Sequence, residues 1–204
     1  MISLLDFFAL AIFFICTIGY HNIYYPYKLS RTPMSTAKGK INLYRRSWVE
    51  EIVEKRDILT AVHQVRNLTM VATMFTSSSL LILGVIANIF MTRYSPGTDI
   101  FSIKVYLLMT LFGTSFLLFL FSLRHLNYFS ILIGAKKEVI ESTEKTDMVE
   151  MLSERLDLAM NRYTLGARCF YYSLAVMAWF FSTWAFIAIT LLVTLMVIVT
   201  RDFK

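Results

Sequence analysis

Four stretches of the chain carry no charged side chain: Phe7–Tyr27, Asn67–Thr92, Val105–Leu123 and Cys169–Thr200. A helix needs roughly 20 apolar residues to cross a hydrocarbon core ~30 Å thick. Lipid offers the backbone no hydrogen-bond partner, so stretches of this kind close their own bonds as helices. The expectation is an all-α integral membrane four-helix bundle. Its spans lie near 4–24, 67–92, 103–124 and 169–199, with loops 25–66 and 125–168 between them.

Composition fits that reading. Apolar residues are 57% and aromatics 15% of the 204-residue chain, against a ~45–50% apolar share in soluble domains. Four spans leave no length for a separate soluble domain, so the chain reads as one membrane domain. Cys16 and Cys169 are too few for a disulfide framework. The first span has no basic n-region and no A-x-A-like site, and reads as a retained helix.

Basic residues set the orientation. Lys28, Arg31, Lys38, Lys40, Arg45, Arg46, Lys55, Arg56 and Arg66 fall in the first loop, and Arg124, Lys136, Lys137, Lys145, Arg155, Arg162 and Arg168 in the second. Only Arg93, Lys104, Arg201 and Lys204 fall on the other side. A Lys/Arg excess marks the cytoplasmic side, so both loops are expected inside and both termini outside (N-out/C-out), in the cell membrane as a multi-pass protein. The net charge of +6 is then a topology signal, and nucleic acid is not an expected partner.

Residues 28–46 hold six basic and no acidic side chains among Pro26, Pro33 and Gly39, which suggests an extended segment at the membrane surface. Each Lys or Arg there gains about 1 kcal/mol from an anionic leaflet, so anionic lipids are an expected partner. Beyond Ser47, Trp48, Val49, Ile52, Val53, Leu59, Val62 and Val65 recur at helical spacing; Met148, Leu152, Leu156, Ala159, Tyr163 and Ala167 do the same in the second loop. Their polar faces carry both signs of charge, so these amphipathic cytoplasmic helices are expected to pack on protein. Tyr20-His21-x-x-Tyr24-Tyr25 and Arg124-His125-x-x-Tyr128-Phe129 end spans one and three alike, the trace of a weak internal repeat.

Chemistry-bearing residues gather near the inner ends of the spans. His21, His63, His125 and Cys169 are metal or haem ligand types, yet they form no His-x-x-His, Cys-x-x-Cys or Glu-x-x-His pair. No phosphate loop, serine elbow or intramembrane carboxylate pair occurs, so no cofactor and no catalytic residue is expected. Thr73, Thr76, Ser77, Ser78, Ser79 and Asn88 give the second span its polar content, of the kind used in helix packing.

The string Trp48-Val49 followed by Lys55-x-Asp57-x-Leu59-x-Ala61-Val62-x-Gln64-x-Arg66-Asn67 resembles the signature stretch of the domain-of-unknown-function 599 family, four-span proteins of plants and prokaryotes. Tyr20-His21, Gly39-x-x-Asn42 with Arg45 or Arg46, Ser122-x-Arg124-x-x-Asn127, and Arg168 with Tyr171-Tyr172 and Trp179 extend the likeness along most of the chain. The resemblance implies a shared architecture and no activity. It leaves His21 alone of the histidines inside a family-like motif.

Two kinds of role emerge for the polar residues at the inner ends. Lys55 and Asp57 are candidates for structural ion pairs in a salt-bridged collar that orients the helices, and Asp57 and Arg66, nine residues apart, could face similar directions. Arg66, Arg124 and Arg168, with Asn67 and Asn127, are candidates to hold an anionic ligand or lipid head group, because guanidinium forks match such anions bidentately. The leading expectation is a structural or accessory subunit of a homo-oligomer or a larger membrane complex. The rivals are a small-solute channel or transporter with its pore between subunits, and a metal- or haem-binding membrane subunit.

Overall fold

The computed structural model describes residues 3–93 and 99–199, with the backbone alone at His21, Asn22 and Arg93. The described elements are helices throughout. The chain divides into two compact units, one of Met1–Lys40, Ser79–Ser115 and Ala167–Lys204, the other of Ile41–Ser78 and Phe116–Gly166.

In the first unit, α1 (Leu4–Phe14) continues through a π-helical stretch, Ile15–Tyr24, into α2 (Tyr25–Arg31). Ser3 and Asp6 close a reciprocal capping box at the start of α1, which satisfies amides that a helix N-terminus otherwise leaves open. Pro26 sits in the first turn of α2, where the missing N–H costs least. A short 3₁₀ turn, Pro33–Ser35, then leads to α3 (Ala37–Lys55). Residues 28–46 are therefore mostly helical, which corrects the expected extended segment: both prolines stand at helix starts, where their fixed φ suits the turn. Gly39 permits the tight turn, because a Cβ there would overlap the Pro33 carbonyl.

The next helices are long. α4 (Ile58–Arg93) has 36 residues and α5 (Ile100–Leu132) has 33, each rising about 50 Å, well beyond one hydrocarbon thickness. Leu4–Arg31, Ile58–Thr92 and Ile100–Leu132 are long and apolar enough to cross a membrane. The fourth expected span, 169–199, is not one helix. α7 (Met148–Trp179) stops, Ser182 is extended (φ −160°, ψ 139°), and α8 (Thr183–Val197) begins.

Tyr172 and Thr194 share a hydrogen bond of 2.8 Å across that break, and the Trp179 ring stacks on Phe186 at 4.8 Å. These contacts pair the end of α7 with α8 head to tail, so α8 folds back antiparallel. The fourth uncharged stretch, expected as one span, is instead two helices joined at Phe180–Ser182, the second folded back on the first. The internal repeat is weakened too, since α4 has no such reversal. Phe13, Phe112, Tyr172, Trp179 and Phe186 form the aromatic centre of this unit's core.

The second unit has its own core. Val49 and Ile52 of α3, Ala61 and Val65 of α4, Leu126 and Phe129 of α5, Ile140 of α6 (Lys137–Glu144), and Leu152, Leu156 and Ala159 of α7 are buried together. Both amphipathic stripes thus pack on protein, with one change. Arg56 adopts a left-handed φ of 51° and ends α3, so the helix expected to run from Trp48 to Val65 is cut, and Leu59 is left 71% exposed. Asp57 restarts the chain by accepting the Thr60 amide at 3.2 Å. Arg45 pairs with Asp157, and Ser122 donates to the Ala159 carbonyl at 2.8 Å, which together fasten α3 and α5 to α7.

Candidate functional site

The inner-end arginines do not form one cluster. Arg66 and Asn127 come together in the second unit, lining a groove of about 590 Å³ with Val62, Val65, Thr69, Met70, Thr73, Met74 and Ser130. Helical spacing explains the set: Val62, Arg66, Thr69 and Thr73 share one face of α4, and Asn127 and Ser130 the facing side of α5. Arg124 shares a second groove of about 570 Å³ with the same Asn127, beside Leu120, Phe121, Tyr128 and Ile131. Asn127 is thus common to both. The grooves are amphipathic, with a cation and an amide at hand while Met70 and Met74 stand 64% and 62% exposed. Arg66, Arg124 and Asn127 are themselves exposed.

The remaining candidates fall elsewhere. Arg168 belongs to the first unit, is 7% exposed, and lies over the Tyr25 ring at 5.1 Å. Asn67 is exposed and lines neither groove. Lys55 and Asp57 meet different partners. Lys55 bonds Glu51 one turn back, which raises its pKa, while Asp57 caps α4 through Thr60, which holds its carboxyl below the ordinary value. His63 is exposed and His125 half-buried; the His21 side chain lies outside the described ones. Among the described residues no three His, Cys, Asp or Glu groups come together as a metal site. Of the polar residues of span two, Thr76 bonds the Ala72 carbonyl at 2.7 Å and Ser79 meets Ser115 at 3.5 Å, both buried uses in helix packing.

A second polar cluster was not anticipated. Asp6, 8% exposed, accepts from the Ser3 hydroxyl at 2.7 Å, the Trp179 indole N–H at 3.0 Å and the Thr183 hydroxyl at 2.7 Å. Lys104 donates to the Trp179 carbonyl at 2.7 Å, with its ammonium 5.0 Å from that residue's ring centroid. That carbonyl sits at the end of α7, where no following turn bonds it. The sequence held a signal for this cluster: Ser3-x-x-Asp6 is a capping-box spacing, and Asp6 and Lys104 each flank an uncharged stretch.

One family matches the chain, described as a protein of unknown function, DUF599, over residues 8–204. No curated protein and no solved structure matches it.

Proposed function

The chain therefore belongs to the DUF599 family, and we propose that it is a multi-pass membrane protein with a non-catalytic, accessory role, holding anionic lipid head groups in the grooves beside Arg66 and Arg124 and working within a membrane assembly. The observation that carries this reading is the groove shared by α4 and α5, where Arg66 and Asn127 stand at a wall otherwise built of Val62, Val65, Met70 and Met74. A phosphate head group would be met by a guanidinium fork and an amide N–H, and acyl carbons by the valines and methionines. Met70 and Met74 lie within the uncharged stretch Asn67–Thr92, so the wall beside Arg66 offers acyl carbons a surface that a free anion would not use, and an amphiphile fits it better.

Native mass spectrometry of the protein released from vesicles of mixed phosphatidylglycerol and phosphatidylcholine tests it, and the same spectra give the oligomer mass. Retention of phosphatidylglycerol over phosphatidylcholine is expected. Arg66→Ala and Arg124→Ala should each cut that retention roughly tenfold, the scale of one charge-assisted hydrogen bond. Arg46→Ala, which removes an exposed residue paired with Glu50 on its own helix, should leave retention unchanged. Equal retention of both lipids, or no change in Arg66→Ala, contradicts the reading.

A further inference from the structure

The buried carboxylate of Asp6 joins three chain segments that are far apart in sequence. It is the third residue of α1, it accepts from the indole at the last residue of α7, and it accepts from the hydroxyl at the first residue of α8. Helix N-termini favour a negative charge, and Asp6 stands at two of them, those of α1 and α8. Four hydrogen bonds, two of them from Ser3, saturate the carboxylate, which is what burial of a charge requires. Lys104 closes the same corner from α5 by capping the carbonyl that the end of α7 leaves open.

The packing below this corner fixes the direction of α8. Phe13, two turns along α1 from Asp6, meets Phe186 at 5.4 Å, and Asp6 meets Thr183, so α8 runs parallel to α1. Phe13 also meets Tyr172 at 5.7 Å, so α7 runs antiparallel to both. The chain thus leaves α8 at the end of the unit where α1 passes through Tyr25 into the turn at Pro33–Ser35.

We infer that residues 167–199 form a helical hairpin that enters and leaves the membrane on one face, that Asp6 is the pin holding its turn against α1, and that the end of α8 at Val197 lies on the same face as Ser35. This assignment is independent of any lipid in the grooves. The sequence is consistent with it, since the residues that follow α8 in the chain include the basic Arg201 and Lys204, as a Lys/Arg excess on one face would have.

The test uses the full chain with Cys16 and Cys169 replaced by serine and one cysteine placed at Ser35 or appended after Lys204. Sealed vesicles of one orientation are treated with a membrane-impermeant maleimide, before and after permeabilisation. Both positions should label under the same condition, and labelling of the two from opposite faces overturns the hairpin. For the pin, Asp6→Ala should lower the thermal midpoint in detergent by roughly 5 °C or more, since it strands the Trp179 and Thr183 donors. Asp6→Asn, which keeps an acceptor, should fall between. An Asp6→Ala midpoint equal to that of the parent overturns the pin. If Asp6→Ala does not accumulate, the Asn variant and the labelling pattern still decide.

Discussion

Asp57 illustrates how one side chain sets a helix boundary. Residues two apart do not face each other on a helix, so Lys55 reaches back four positions to Glu51 and leaves Asp57 to the amide of Thr60. The left-handed Arg56 between them, which their sequence does not reveal, puts one at the end of α3 and the other before α4. Because the Asp57 carboxyl is held below its usual value, its stabilising effect is present above ~pH 4 and is lost as pH falls through the lowered value. The protection of the Thr60 amide, its exchange rate relative to the intrinsic rate at the same pH, should accordingly fall in acid, and Asp57→Ala should show the low protection already at pH 7. Asp57→Asn, also a good cap, should stay protected at both. Arg66 and Asn127 stand at the ends of apolar stretches in the sequence, and one groove brings them together in the structure. Arg168 stands at such an end too and is buried over Tyr25 instead, a difference that only the path of α2 decides.

At the scale of elements, periodicity and charge were good guides to where helices lie and poor guides to where they stop. The three stretches Phe7–Tyr27, Asn67–Thr92 and Val105–Leu123 each fall inside one continuous apolar helical run. Cys169–Thr200 does not, and its length was the readable sign, since it well exceeds the ~20 residues one crossing needs. Neither glycine nor proline marks the turn at Phe180–Ser182; tertiary bonds from Asp6 and Lys104 hold it, and those partners are invisible from local sequence. Gly39 is the opposite case, a local necessity. Gly39→Ala forces a Cβ into the Pro33 carbonyl, so it should destabilise the protein by about 1–3 kcal/mol, read as a lower unfolding midpoint in detergent. An unchanged midpoint would mean that the turn between α2 and α3 relaxes freely.

For the whole molecule, the governing fact is the separation of apolar length from basic charge. Along α5 alone, the uncharged run from Val105 to Leu123 rises about 28 Å, close to one hydrocarbon thickness, with Lys104 before it and Arg124 after it. Such a helix is held in register by its ends: a Lys at one side and Arg at the other cannot enter the hydrocarbon cheaply. We propose that the basic loops face the cytoplasm, in which case the residues proposed to hold lipid stand where an anionic inner leaflet would present its head groups. The most direct measurement is labelling of intact cells with an impermeant maleimide, in the Cys16→Ser, Cys169→Ser background, at Ser95→Cys between α4 and α5 and at Ser142→Cys in α6. Ser95 lies outside the described residues and falls in the sequence between α4 and α5. Labelling of the Ser95 position in intact cells, and of the Ser142 position only after permeabilisation, is the predicted result. Labelling of the Ser142 position from outside intact cells would contradict the account.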